Sequence, residues 1–321
     1  MHENMISSVE IKNFKIFDYL EIHNFKRVNL IGGKNNIGKT ALLEAIELNV
    51  SAVDFNALLS NVKRILQRRH NFIEIDIFRQ SSNSLEVVSS INNISLEYNN
   101  RPPEPILTMG IGEEKQGLPI SRVVNSRSMS INSYGPNKVN YISSSYVDSA
   151  YLSELYGFLT SLGKDEFIDS SLRLFDERIL AVRQVIQGRT PVFRVKISGL
   201  DTPVLLSSLG EGINRFMAMI CAIWASQDGY LFIDEIENGI HYTNYEKLWR
   251  MIFEVASEAN CQLFVTTHSR ECIEAFNDAN QNRDGGYFEL YKNKSGKIVS
   301  KYRDFDQLSY SLTHGGRFRG E

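Results

Sequence analysis

Apolar and polar positions along the chain fall into three textures. The first forty residues hold short runs, "SVEIKNF", "YLEIHN" and "RVNLIGG", that predict β-strands. Directly after the last, "KTALLEAIELNV" changes to helical spacing, with Leu42, Leu43, Ile46 and Leu48 on one expected buried face. Helical spacing returns at Leu58, Val62, Ile65 and Leu66 and passes into a β-like "FIEIDIF". From 81 to 145 the texture loosens. Ser and Asn clusters punctuate short strand candidates such as "SLEVVSSI", "ISLEY" and "VNYIS", as expected for a β-rich, loop-heavy insertion.

The third texture begins with a helical pattern over 151–176, followed by "ILAVRQVIQ" and "VFRVKIS" as extended segments. Beyond Ser207 helices and strands alternate: helices over 214–225, 245–259 and 269–276, and strands over 230–233, 262–266 and 286–291, the last expected in the chain. The expected division is an N-terminal part over 1–80, an insertion over 81–178 and a C-terminal part over 179–321. No internal repeat and no low-complexity linker is visible.

Composition narrows the class. At 321 residues with 42% hydrophobic and 23% charged positions, the chain can bury one large core or two modest ones. A net charge of -3 argues against a generally basic nucleic-acid coat, so any such contact is confined to one face. The candidate is Lys63, Arg64, Arg68 and Arg69, whose spacing sets several cations on one side of a helix, a pattern equally expected of a solvated face. Cys221, Cys261 and Cys272 lack metal-ligand spacing and fit reduced thiols of a cytoplasmic protein. The N-terminus has no apolar signal segment, and the apolar run over 216–225 is too short to span a bilayer, so no membrane association is expected.

The chemistry sits at strand ends. Gly33 to Thr40, "GKNNIGKT", satisfies G-x-x-x-x-G-K-[ST] between a strand and a helix. There, glycines let the backbone wrap a polyphosphate, Lys39 neutralises its β and γ oxygens, and the Thr40 hydroxyl meets Mg²⁺. "YLFIDE" supplies the matching carboxylates: Asp234 to hold the Mg²⁺ shell and Glu235 to orient and deprotonate an attacking water. His268, ending the apolar "LFVTTHS", is placed to sense the γ-phosphate. "LLSSLGEGINRF" opens an apolar helix and forms a second anion-binding helix N-terminus, which makes sense if it closes over a nucleotide held by another subunit.

In their order, "GGKNNIGKT", "SSLGEG", "LFIDE", "ENGIHY" and "TTHS" resemble the ABC-type ATPases of the SMC, RecF and OLD (overcoming-lysogenization-defect) group. They look most like short OLD-like AAA ATPases of bacterial defence and toxin-linked loci. The resemblance covers about 5–50 and 200–292. It implies an α/β P-loop NTPase: an ABC-type ATPase head with a mixed central sheet, N-terminal antiparallel strands and an inserted β-rich and helical lobe. It makes Gly33, Asn35, Gly38, Lys39 and Thr40 the Walker A motif, Asp234 and Glu235 Walker B, and His268 the switch histidine. Ser208, Gly210, Glu211 and Gly212 become the signature and 237–241 the D-loop. The signature departs from LSGGQ, leaving Ser207 or Ser208 as the serine that meets the γ-phosphate, and Gln80 is the candidate Q-loop glutamine.

Only 53 residues follow His268, so the Toprim nuclease of full-length OLD proteins is not expected, and no heptad run supports an SMC-like arm. The resulting expectation is an ATPase using ATP and Mg²⁺ as a homodimerising switch, with a separately encoded effector. Alternatives are a RecF-like DNA-binding factor and a scaffold that restrains a toxin or nuclease, with 81–145 and the C-terminal tail as contact surfaces. Transport coupling fits poorly, given the opening "VEIKNFKIF" and the large β-rich insertion.

Overall fold

A computed structural model describes residues 5–68, 77–100, 103–125, 138–144 and 147–315. The N-terminal hairpin is β1 (Ser8–Phe14) and β2 (Phe17–His23), and β3 (Val28–Gly33) leads through the glycine loop into α1 (Lys39–Val50) and then α2 (Phe55–Arg68). Strands β4 (Ser84–Ser89), β5 (Asn93–Asn99), β6 (Ile106–Ile111) and β7 (Glu114–Pro119) form a meander, followed by α3 (Ile120–Asn125) and β8 (Val139–Ile142). Helices α4 (Ser149–Ser161) and α5 (Asp165–Phe175) precede β9 (Ile179–Gln187), β10 (Thr190–Ile197) and β11 (Val204–Leu205). After the 3₁₀ turn Leu206–Leu209 come α6 (Glu211–Ala225), β12 (Tyr230–Ile233), α7 (Tyr245–Glu258), β13 (Gln262–Thr266), α8 (Arg270–Ala279), β14 (Gly285–Lys292), β15 (Ile298–Arg303) and α9 (Phe305–Thr313).

The central sheet has the order β15-β14-β3-β13-β12-β8, parallel except for β15. Its middle strands are apolar on both faces, which is why they read as continuous apolar runs. Leu231, Ile233, Leu263 and Val265 enter a core with α4 to α8, whereas Phe232 and Phe264 stack at 5.5 Å in a second core under α1. All the strands carrying motif residues thus end at one edge of the sheet, where parallel α/β proteins bind ligands.

Three expectations about the strands need correction. The segment from 81 does not begin a separate insertion: β4 pairs antiparallel with β1, so β2-β1-β4-β5-β6-β7 is one continuous sheet, and the division at residue 80 is not a sheet boundary. Likewise β8, expected within the insertion, is an edge strand of the central sheet beside β12. The chain also does not stop at the strand over 286–291, since β15 and α9 follow.

Helix α1 is buried on all sides rather than on one face: every residue except Thr40 is inside. It lies between two sheets, so its polar residues need internal partners. Lys15 pairs with Glu44 at 2.5 Å, Arg68 forks onto Glu47 with two 2.6 Å bonds, and Asn49 donates to the Val87 carbonyl. Arg68 also lies 3.6 Å from the centre of the Tyr141 ring. The expected cationic face on α2 therefore loses Arg68 to this buried network, and Arg64 donates to Asn61. Arg69 and most of "FIEIDIF" lie outside the described residues.

Candidate nucleotide-binding site

The glycine loop needs its glycines for space. A Cβ on Gly33, at φ +139°, would collide with the Leu290 carbonyl oxygen of β14; one on Gly38, at φ +101°, would lie 2.8 Å from Ile16 and 2.9 Å from Phe17. The β1–β2 turn therefore presses directly on the loop. Lys39, at the start of α1, is buried and donates to the Gly33 and Lys34 carbonyls, 2.9 Å each, so its ammonium sits inside the ring of the loop. Burial pulls its pKa down to about 8, against the opposing charges of Glu235, Asp234 and Glu237.

Opposite Lys39, the two carboxylates after β12 are held differently. Asp234 accepts from the Thr40 hydroxyl at 2.9 Å and from the Thr266 hydroxyl at 2.6 Å. Its burial raises its pKa, and these two hydroxyls offset part of that rise. Glu235 takes a left-handed φ of +50°, rare for a non-glycine residue, and its N–H donates to the Thr266 hydroxyl at 2.8 Å. Its carboxylate lies 2.7 Å from His268 Nε2 and accepts from Asn238 Nδ2 at 2.7 Å. An ionised carboxylate only accepts, so Nε2 carries the His268 proton. Partial burial alone would raise the Glu235 pKa, but the His268 and Asn238 bonds outweigh it and the net shift is downward.

These groups share one cleft of about 700 Å³, lined by Lys15, Ile16, Asn35, Asn36, Gly38 to Ala41, Phe78 to Gln80, Asp234, Glu235 and His268. Gln80 thus lies in the wall beside the expected Walker residues. Ser208, Gly210 and Glu211 are not among the residues lining it. Ser208 is exposed and bonds the Leu205 carbonyl at 2.6 Å, while Gly210, at φ +104°, turns the chain into α6. Glu211 lines a neighbouring cavity of about 300 Å³ with Asn214, Arg215, Asn238 and Gly239. A Cβ on Gly212 would meet the Gly239 carbonyl, so the N-terminus of α6 lies against the loop that follows Glu235.

Three residues that lie within the quoted motifs, without a role of their own there, also build the site. Thr266 bridges Asp234 and the Glu235 N–H; Asn238 ties the Glu235 carboxylate to the Ser144 carbonyl; Arg215 bonds the Asp234 and Glu235 carbonyls. Thr266 lies in "TTHS" and Asn238 in the segment 237–241, whereas Arg215 shows as a charge within the largely apolar "INRFMAMICAIW".

A family model described as an AAA ATPase domain matches residues 5–148 and 152–273, most of the chain. The chain belongs to this AAA ATPase family. Among its relatives, an ATP/GTP phosphatase of Helicobacter pylori is 24% identical over 87% of this chain and 90% of its own length. An uncharacterized protein of Methanocaldococcus jannaschii is 35% identical over 30% of this chain and 48% of its own length. Two solved structures share the fold. One is an Smc head bound to the C-winged helix domain of ScpA, with TM-score 0.59 and 12% identity over 94% of this chain and 98% of that one. The other is a Pyrococcus furiosus Smc head with an extended coiled coil bound to the C-terminal domain of ScpA, with TM-score 0.56 and 11% identity over 96% and 98%. The ATPase therefore has the α/β fold of an ABC-type P-loop head, with mixed sheets as expected.

The residues fit a nucleoside triphosphate with a hard divalent cation. The glycine cradle would admit backbone close to phosphate, and the Thr40 hydroxyl and Asp234 carboxylate, 2.9 Å apart, would supply the hard oxygen donors that such a cation takes. Among the described residues, no group of three or more His, Cys, Asp or Glu could hold a metal by itself, and no helix is long and apolar enough to cross a membrane.

Proposed function

We propose that this ATPase is a nucleotide-dependent dimerisation switch, in which the signature of one copy completes the ATP site of the other. The observation that carries the reading is the placement of the two anion-binding helix starts. That of α1 opens into the cleft with Asp234, Glu235 and His268, whereas Ser208 and Gly210 at the start of α6 stand outside it, with Ser208 exposed. A second copy would bring its own Ser208, Gly210, Glu211 and Gly212 to the phosphates.

Lys39 and the α1 N-terminus bind the phosphates, and Ile16, Phe78 and Gln80 wall the cleft. Thr40 and Asp234 would hold Mg²⁺, which when bound neutralises charge on the β and γ phosphates. Glu235 orients the attacking water and takes its proton; its low pKa keeps it ionised, and Asn238 and His268 fix its rotamer. His268, held through its own N–H by Glu237 at 2.5 Å, reports the γ-phosphate to the loop that carries Glu237.

The biological setting we propose is that of the short OLD-like ATPases: a cytoplasmic protein of antiphage defence that signals to a separately encoded nuclease or toxin. The RecF-like DNA-binding reading has less support, because Arg68 of its cationic face is committed to Glu47.

Complementation tests the cross-subunit site. Lys39→Ala and Ser208→Arg are each expected to be inactive. A heterodimer of the two keeps one intact site, so a 1:1 random mixture should regain roughly a quarter of wild-type turnover, provided each site works independently. Light scattering with Glu235→Gln and Mg-ATP should show an ATP-dependent dimer. A mixture as inactive as its parts, with a mass that ignores nucleotide, would refute the switch.

A further inference from the structure

Arg215 lies in the second turn of α6, 5% exposed, between Ile213, Phe216 and Met217, which are also buried. A guanidinium in such a place is costly unless its donors find acceptors. They reach backbone carbonyls at the ends of two neighbouring strands. Nη1 donates to Ser143 O at 2.6 Å, just past β8, and Nη2 donates to Asp234 O at 2.6 Å and Glu235 O at 3.0 Å, just past β12.

The peptide so gripped is an unusual one. Glu235 has the left-handed φ of +50°, a conformation that persists only when its surroundings over-determine it. Thr266 holds its N–H, Asn238 and His268 hold its carboxylate, and Arg215 holds its carbonyl. Farther along the same loop, Gly212 at the start of α6 abuts the Gly239 carbonyl. One helix therefore grips both ends of the loop from 234 to 239, through a charge at one end and a glycine contact at the other.

We propose that Arg215 is a positioning residue for hydrolysis, fixing the Asp234–Glu235 backbone to the signature helix so that the placement of the Glu235 carboxylate follows the position of α6. This rests on Glu235 being the base. It makes the signature helix a lever: a displacement at Ser208 and Gly210 is carried through α6 to the peptide that aims the base. Lysine at 215 keeps the charge but lacks the planar fork that reaches several carbonyls at once.

The test is a double-mutant cycle of Arg215→Gln and Glu235→Gln, with Arg215→Lys alongside. Single-turnover rate, steady-state kcat and KM, and equilibrium binding of a fluorescent ATP analogue are read for each. A base misplaced by about 1 Å loses on the order of 100-fold. Arg215→Gln is therefore expected to lower the single-turnover rate by about 10- to 100-fold, with analogue affinity within about twofold of wild type. In the Glu235→Gln background the same change should cost less than about twofold, since the group it positions is already gone. Arg215→Lys should fall between wild type and Arg215→Gln, and it carries the cycle if the glutamine variant does not fold. Equal losses in both backgrounds, or a parallel loss of analogue affinity, would overturn the proposal. Wild-type turnover in Glu235→Gln alone would instead remove the base assignment on which it rests, a result read before Arg215 is touched.

Discussion

The sharpest stability test concerns Arg68. The Glu47 carboxylate is 1% exposed and accepts two 2.6 Å bonds from this one guanidinium, which also covers the Tyr141 ring at 3.6 Å. Removing one partner of a buried pair leaves the other charge without compensation and costs about 3–5 kcal/mol. Arg68→Ala is therefore expected to destabilise by that amount, a fall in Tm of roughly 6–10 °C at about 2 °C per kcal/mol for a chain of this size. Replacing both partners by apolar residues of similar volume, Glu47→Leu with Arg68→Met, removes the buried charge altogether and should be much milder than either single change. Urea unfolding of the wild type, Glu47→Leu, Arg68→Met and the double variant measures the cycle, with Arg68→Ala alongside. If Arg68→Ala changed stability by less than about 0.5 kcal/mol, the ordinary range for surface positions, the buried-pair reasoning would be wrong and the cationic face of α2 would be open again to a phosphate backbone.

Gly212→Ala sets a Cβ against the Gly239 carbonyl, 3.0 Å from its carbon, where only backbone could give way; turnover should drop about 10- to 100-fold while analogue binding in the Lys39 cleft persists, and unchanged turnover would show that α6 and the loop move freely of each other. Thr266→Val keeps the shape but removes the hydroxyl shared by Asp234 and the Glu235 N–H, so kcat should fall by at least about 10-fold, at a stability cost of about 1–3 kcal/mol, checked by kinetics and urea unfolding side by side. Trp249 is fully buried, donates to the Cys272 carbonyl at 3.1 Å and meets Phe276 edge-on at 5.0 Å; Trp249→Ala should cost about 3–5 kcal/mol by the same measurement. Gly157→Ala at an exposed position of α4, where an added Cβ meets nothing within 4 Å, should instead stabilise by about 0.5–1 kcal/mol.

Sequence legibility followed locality. The strands carrying Asp234 and His268 were readable because burial on both faces turns them into unbroken apolar runs, and the chemistry then follows at the strand end. The runs over 84–91 and 94–98 were readable as strands but not as part of the N-terminal sheet. An alternating run looks the same whether it joins a distant strand or forms its own lobe, and β4 finds β1 from more than sixty residues away. The four residues of β8 carried too little pattern to announce that they border the strand leading to Asp234, although the Ile142 carbonyl accepts the Asp234 N–H at 2.9 Å. Charge placement on α1 is equally non-local. Glu44 and Glu47 lie three apart on α1, a spacing expected of a solvated stripe, yet that helix has sheets on both sides and Lys15 and Arg68 arrive from other elements to neutralise it. Arg215 shows the converse. A lone arginine in an apolar helix must be given acceptors wherever the helix packs, and α6 packs beside the chain ends that carry the site. Such a residue is a demand for partners rather than an exception to the apolar pattern, and the acceptors that meet it here include backbone carbonyls just past β8 and β12, among them those of Asp234 and Glu235.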